Sequence, residues 1–448
     1  MKNSLSTLIT TSLAAVIGIP AVASADTYVV LANQGKMNNA LAQRIGQAGG
    51  SVRAYLPEID VAIVESSDPA FASRASAVGG VRSVNRDIEM QLVEPNQFES
   101  LAVDQDAANP PTSAEDDRFF DMQWGHDAVN APEAWALGER GAGVRVAVLD
   151  SGIDAEHPDI APNLNVALST SFVPGEGFNV RPGFFFNHGT HVAGTIAAAD
   201  NGVGVIGVAP EAEIVAVKVL SEITGSGSFA SIIQGIVYAA NIDADIINMS
   251  LGADIAHNEP GAAELFVATG RAVAYAYQRG VTVIAAAGND ARDLDHDQSL
   301  KSFPAELPHV LAISATAPVG WALDPTISLD NLASYSNYGQ SSISFAGPGG
   351  DVAFPGNQVC NGPVLVRPCF VFDLVISAIS GGWGFSAGTS MATPHVAGVA
   401  ALIIGANGGD MAPAQVEQAL RAGADDLGKP GNDDIYGAGR VNALGSLR

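Results

Sequence analysis

Three short segments carry residue types suited to nucleophilic acyl transfer. Asp150-Ser151-Gly152 offers a carboxylate, His188-Gly189-Thr190-His191 a base, and Gly388-Thr389-Ser390-Met391-Ala392-Thr393-Pro394-His395 a hydroxyl. A serine hydroxyl is a weak nucleophile at neutral pH, so it needs a base to take its proton and a third group to hold that base. Ser390 stands where a glycine-containing turn enters a helix-like run from Met391 to Ile404. The N-terminus of such a helix sets positive partial charge beside a developing oxyanion. Pro394 is expected in the first turn, where its missing N–H is harmless. Taken alone, Ser390 reads more simply as a helix cap. The chain order Asp, His, Ser gives it weight, because that order separates one arrangement of the three groups from two others. Asp154 is a rival acid and His191 a rival base. His188 and His191 also form an i, i+3 pair of the kind that binds a metal, but zinc needs further ligands and none is evident at suitable spacing.

The elements that position these residues alternate. Val144 to Leu149, Glu213 to Leu220, Asp245 to Ser250, Val281 to Ala286 and Val310 to Ala315 are short apolar runs, read as parallel strands buried on both faces. Phe229 to Ala240 and Ala262 to Gln278 read as helices between them. The alternation implies an α/β domain with a mostly parallel sheet between helix layers. Active sites in such sheets lie at the C-terminal ends of strands. Asp150 directly follows Val146-Ala147-Val148-Leu149, and Asn289 shortly follows Val281 to Ala286.

Upstream, residues 26–90 read as a separate unit with the order βαββαβ, the ferredoxin-like α+β pattern. Residues 91–118 hold Pro95, Pro110, Pro111 and many Asp, Glu, Ser and Ala without apolar periodicity, which reads as a linker. Residues 119–448 form the α/β domain. Residues 1–25 read as an export signal: Lys2, an apolar stretch from Leu5 to Val22, then Ala23-Ser24-Ala25 at a cleavage-site spacing. Pro20 and the interspersed Ser and Thr speak against a membrane anchor. The mature protein is therefore expected outside the cytoplasm, extracellular or periplasmic, with no membrane attachment. Export permits a disulfide, and Cys360 and Cys369, the two cysteines of the chain, are expected to form one.

The 448 residues carry a formal net charge of -26 although only 15% are charged. Such an acidic surplus argues against nucleic-acid binding, which needs a basic face. It suits solubility in a salty medium or attraction of cationic substrates, and a plain solvated acidic surface accounts for it most simply. The hydrophobic fraction of 47% allows a large core.

The three motifs together resemble those of the subtilisin-like serine proteases, the subtilases. Gly388 to Gly398 is similar to the family's serine motif, His188 to Thr195 to its histidine motif, and Val146 to Ile153 to its aspartate motif. The resemblance implies Ser390 as nucleophile, His188 as base and Asp150 as the acid that orients it. Ala285-Ala286-Ala287-Gly288-Asn289 resembles the oxyanion segment, with Asn289 donating its side-chain amide. Ser250-Leu251-Gly252 and Gly225-Ser226-Gly227 resemble the two walls along which a peptide binds as an added strand. The implied S1 pocket lies between Ser250-Leu251-Gly252 and Ala286-Ala287-Gly288, roomy and apolar. Ca²⁺ is the implied cofactor, held by the Asn201 side chain, the carbonyls of Ala199, Val203 and Val205, and the Asp159 carboxylate, with a further ligand from Asp121 or Gln123. Residues 26–90 resemble the family's inhibitory prodomain, to be removed by a cut in the linker. Val319 to Leu332 and Gly349 to Phe372 depart from the compact family pattern and read as surface insertions, the second bordering the primed side of the cleft.

The resemblance therefore implies a secreted, autoprocessed, monomeric endopeptidase acting on proteins and peptides. An α/β-hydrolase esterase is opposed by chain order, since that fold places its serine before its acid and base. An inactive subtilase-like binding protein is the remaining rival.

Overall fold

The computed structural model describes residues 25–91, 99–101, 115–181, 188–297, 299–362 and 365–448. The proposed export signal and most of the linker lie outside the described residues. The N-terminal unit follows the expected order: β1 (Asp26–Ala32), α1 (Asn39–Gln47), β2 (Ser51–Leu56), β3 (Val61–Ser66), α2 (Phe71–Ser76) and β4 (Val81–Arg86). Its antiparallel sheet runs β2-β3-β1-β4. Asn38 caps α1 by accepting from Leu41 N at 2.9 Å. β1 is apolar on both faces, so both need a partner. Tyr28, Val30 and Ala32 pack with Leu41, Ile45 and Phe71 of the unit itself. Val29 and Leu31, with Ile59, Val61 and Ile63, face the larger domain instead. Two short strands follow, β5 (Glu89–Gln91) and β6 (Glu99–Leu101).

The larger domain opens with α3 (Trp124–Ala128) and α4 (Ala131–Trp135). Its strands are β7 (Arg145–Asp150), β8 (Thr170–Ser171), β9 (Glu213–Lys218), β10 (Ser226–Ser228), β11 (Ile246–Met249), β12 (Ala253–Ala256), β13 (Thr282–Ala286), β14 (Leu300–Phe303), β15 (Val310–Ala317), β16 (Asn331–Leu332) and β17 (Phe345–Pro348). The central sheet is ordered β16-β15-β13-β11-β7-β9-β8, with β17 also beside β15. Every pair in it is parallel except β15 with β16. Alternate residues feed two helix layers, as the period of two dictates. Val146, Val148, Ile214 and Ala216 pack beneath α5 (His188–Ala197) and α8 (Thr389–Ala406). Ala147, Leu149, Val215 and Val217 pack beneath α6 (Phe229–Asn241) and α7 (Ala262–Gln278), and the apolar face of the N-terminal unit joins that same core. α8 is apolar enough to span a membrane by composition, but it is buried inside the domain. α9 (Pro413–Gly423) and α10 (Ala443–Ser446) pack around it.

Two expectations are refined. Ser390 is the second residue of α8, and Pro394 lies six residues into the helix, past the first turn where it was expected. It therefore removes an intrahelical donor to the Ser390 carbonyl rather than sitting harmlessly at the start. The two insertions pack on each other. The Asp373 carboxylate accepts from Gly320 N at 2.7 Å and Trp321 N at 2.8 Å, which ties the first insertion to the end of the second. Cys360 and Cys369 form the expected disulfide across the hairpin β18 (Val359–Asn361) and β19 (Val366–Pro368). The hairpin β20 (Val375–Ile379) and β21 (Gly382–Ser386) then leads into α8.

Candidate active site

Asp150 ends β7, and His188 begins α5. They meet because Gly189 lets the helix start press against the acid turn: a Cβ there would lie 2.2 Å from the Gly152 carbonyl oxygen. His188 Nδ1 lies 2.9 Å from both Asp150 oxygens, and both residues are buried. With Nδ1 against a carboxylate, the imidazole proton sits on Nδ1 and leaves Nε2 as the basic atom. Ser151, which the sequence reading passed over, fastens the two elements. Its N–H donates to Asp150 Oδ1 at 2.7 Å, and its Oγ accepts from Gly189 N at 3.1 Å. The buried Lys218, paired with Asp150 in register between β9 and β7, donates to the Ser151 carbonyl and forms an ion pair with Glu176 at 3.1 Å.

Asn289 follows β13, and Thr389 precedes Ser390 on α8. Asn289 Oδ1 accepts from Thr389 N and Thr389 Oγ1, each at 2.9 Å. That double anchor fixes the amide orientation and points Nδ2 to the other side. A Cβ built on Gly388 would lie 3.5 Å from Ser390 N and 3.6 Å from Asn289 Nδ2. Two nitrogen donors thus lie close to one spot next to the serine, as an oxyanion hole requires. No signal in the sequence marked Thr389 as the anchor.

His188, Asn289 and Ser390 line one cavity of about 510 Å³. Gly252, Ala286 and Gly288 of the expected pocket walls also line it. Ser250, Leu251 and Ala287 do not; their side chains are buried, Leu251 in the main core. Ala253, Asp254, Ile255, Asp290 and Ser302 complete that wall, so it is more polar than expected. Burial and the neighbouring Asp254 raise the Asp290 pKa. Met90 and Gln91 line the cavity from the N-terminal side. Ser226, Gly227 and Ser228 pair antiparallel with Gln91, Met90 and Glu89, so the expected wall does carry an added strand, and that strand is β5. Gly225, the remaining wall residue, lies just before β10 with its N–H bonded to the Ser221 carbonyl at 2.8 Å.

The rival residues have structural partners. Asp154 accepts from Glu156 N and Gly381 N. His191 is buried against the Val375 carbonyl at 3.1 Å, and desolvation drops its pKa to about 3, which keeps it neutral.

The expected calcium loop follows α5. Asp159 Oδ2 accepts from Val205 N at 3.0 Å and Trp383 Nε1 at 2.7 Å, whereas Asp159 Oδ1 is buried without a hydrogen-bond partner. Asn201 Oδ1 accepts from Val203 N at 2.9 Å, and Ala199 N donates to the Asp159 carbonyl at 2.8 Å. Gln123 is not available to this loop, since both ends of its amide bond the backbone of Ile206. Asp117 is placed there instead. Its Oδ1 accepts from Val203 N at 3.1 Å, and its Oδ2 is buried and unpartnered. Burial pushes the pKa of Asp117 and of Asp159 up to about 7. Asp117 also belongs to a close group with Asp116 and Asp200. Its signal lay in the linker's acidic run, which composition alone makes look like solvated chain.

This fold and site define a serine protease, and comparison with known proteins places it. The subtilase family profile matches residues 141–439, and the chain belongs to that family. It is 39% identical to the M-protease of Shouchella clausii over 329 residues, 73% of this chain and 70% of the relative. Subtilisin E of Bacillus subtilis is 38% identical over 72% of this chain and 70% of its own length. A lanthipeptide protease structure is similar at a TM-score of 0.60 and 29% identity, covering 73% of this chain and 94% of the other. The epidermin leader peptide processing serine protease of Staphylococcus aureus shares the fold at a TM-score of 0.74 and 23% identity, over 94% of this chain and 98% of the other. The chain is a serine endopeptidase of the subtilisin type.

Proposed function

We propose that the chain is a secreted endopeptidase made as a self-processing precursor, with Asp150, His188 and Ser390 as its triad. The observation that carries this reading is the His188 Nδ1 contact at 2.9 Å to both Asp150 oxygens, in a cavity shared with Ser390 and Asn289. His188 Nε2 takes the proton as Ser390 Oγ attacks the peptide carbonyl. Asp150 holds the imidazolium that results. The oxyanion settles between Ser390 N and Asn289 Nδ2, where one donor is worth about 3 kcal/mol. His188 then gives its proton to the leaving amine, and water releases the acyl-enzyme by the same route.

Residues 26–90 act as the inhibitory prodomain. Their sheet packs on α6 and α7, and Arg82 bonds Glu264 at 3.0 Å. Arg271 donates to the Ala32 carbonyl at 3.1 Å, and the Asp87 carboxylate accepts from Ala230 N at 3.1 Å. β5 then takes the place of a substrate strand beside the triad. Calcium fits the loop at Asp159, because two buried carboxylate oxygens there have no partner. Asp159, Asp117, Asn201 and the carbonyls of Ala199, Val203 and Val205 would hold it, an all-oxygen set that suits a hard cation. Bound calcium neutralises charge and stiffens the loop.

The test is the intact mass of the expressed precursor, wild type beside Ser390→Ala. Loss of a fragment ending between Gln91 and Phe119 in the wild type alone supports the reading. If neither protein is cut although both fold, and neither hydrolyses a short peptide, the binding-protein reading replaces it.

A further inference from the structure

A buried charge network lies behind the turn that carries Asp150. Lys218 ends β9 and shares the sheet face of Ile214 and Ala216, the face covered by α5. Its side chain has no exposed surface, and the Glu222 side chain beside it is only 1% exposed. The ammonium stands 3.1 Å from Glu176 and 3.5 Å from Glu222. Glu222 in turn pairs with the half-exposed Arg181. Two cations and two carboxylates thus close on one another. A buried set of this kind often adds no more stability than apolar side chains of the same volume, so what sets it apart is the fixed aim of its donors.

The third partner of the ammonium is the Ser151 carbonyl. Ser151 is therefore held at three points. Its carbonyl accepts from Lys218, its Oγ accepts from Gly189 N at 3.1 Å, and its N–H donates to Asp150 Oδ1 at 2.7 Å. The last of these bonds sets the tilt of the carboxylate that faces His188 Nδ1. The lysine packs directly on the turn. Gly152 has φ +100°, and a Cβ there would lie 2.6 Å from the Phe178 carbonyl oxygen and 3.2 Å from Lys218 Nζ. On the far side, Glu176 accepts from Ser221 Oγ at 2.7 Å and from Glu222 N at 3.0 Å. The anchor of the lysine is thus itself fastened to the loop before β10.

We propose that Lys218 is a positioning residue of the proteolytic reaction. Its ammonium, aimed by Glu176 and Glu222, holds Ser151, and through Ser151 it holds the Asp150 carboxylate at the angle that keeps the His188 proton on Nδ1. It touches neither the substrate nor the reacting atoms. This rests on the triad reading above and deepens it.

The variant Lys218→Met/Glu176→Gln/Glu222→Gln removes the ammonium without stranding two buried carboxylates, as Lys218→Met alone would. The amide introduced at Glu176 keeps an acceptor for Ser221 Oγ, so the loop before β10 stays tied. The N-terminal unit is removed by another protease, and turnover of a short uncharged peptide is measured well below the melting transition. The triple variant should lose about 30-fold in kcat with KM within about twofold, somewhat less than a misplacement of about 1 Å costs. Its melting temperature should stay within a few degrees of the wild type. The low-field proton resonance of the His188–Asp150 bond should shift. An unchanged kcat and resonance, or a fall in kcat that only follows a collapse of the melting temperature, overturns the proposal. If the triple variant does not fold, Glu222→Gln decides alone: a kcat about threefold lower supports the role, and an unchanged kcat overturns it. Wild-type enzyme that leaves the peptide uncut, or Ser390→Ala that cuts it equally well, tells instead against the triad reading.

Discussion

Two sets of buried carboxylates sit at opposite ends of α5, and they are finished differently. At its start, Asp150 has both oxygens on His188 and a further bond from Ser151 N at 2.7 Å. Past its end, Asp159 and Asp117 each keep one buried oxygen without a partner, and burial raises both to about 7. A buried charge is tolerated only when paired. The first site is complete as protein and can be spent on chemistry. On the proposed calcium reading the second awaits a cation, and its contribution goes to holding the fold. Both depend on the same helix and on the one loop that follows β7, since Asp150 and Asp159 are nine residues apart.

The sharpest way to break this contrast is to remove one charge at the finished site. Asp150→Asn keeps the shape but disfavours the tautomer with its proton on Nδ1. The kcat for a short peptide should fall by about 10⁴-fold with KM little changed. The melting temperature should move by only a few degrees. The assay needs the N-terminal unit removed by another protease, because on the proposed reading the variant does not process itself. A small loss of kcat, or a collapse of the melting temperature, would show that Asp150 is a structural carboxylate like the other two.

The second site predicts the reverse pattern. Stripping calcium with a chelator should lower the melting temperature by on the order of 10 °C, the shift expected when a ligand at about a thousand times its Kd is withdrawn. The kcat measured well below the transition should stay within about twofold. Restoring calcium should recover stability in the wild type but not in Asp159→Asn. Calcium-independent melting of the wild type would mean that the two orphaned oxygens are neutralised by protons.

How much of this was legible depends on what each feature rests on. That Asp150, His188, Asn289 and Ser390 would lie together, the β7 and β13 positions and the βαββαβ unit were readable, because each is a local pattern with a fixed period or a long motif. The glycine walls were readable as stretches but not residue by residue. Whether Leu251 lines the cleft or the core depends on the strand's exit angle, which spacing does not encode. Thr389, Ser151 and Lys218 were invisible because they act through backbone and side-chain contacts between distant segments. Asp117 was missed for another reason: an acidic run that follows a small folded unit looks like linker until the loop it reaches is in view. Pro394 shows the limit of a local rule, since its register depended on a helix beginning two residues earlier than the apolar run suggested.

A third buried carboxylate lies between these extremes and sharpens the comparison. Asp87 accepts from Ala230 N at 3.1 Å at the start of α6, so it joins the N-terminal unit to the protease domain. Desolvation outweighs its hydrogen bonds, with Ser228 and Ala230 among them, and raises its pKa to about 6. In the undocked unit the group is an ordinary carboxylate near 4. The docked state therefore binds the proton more tightly than the free one. Docking is unpenalised below about pH 4, weakens as pH rises from about 4 to 6, and is constant above that. The cleaved complex should accordingly hold together better at about pH 4.5 than at about pH 7.5, by about 25-fold in Kd from this group. Asp87→Asn should flatten that slope by tightening the complex at high pH while leaving docking at low pH unchanged. Size-exclusion chromatography of the cleaved complex at several pH values reads the difference directly. An identical slope in the variant would assign the pH dependence to other groups and show that the hydrogen bonds of Asp87 offset its burial.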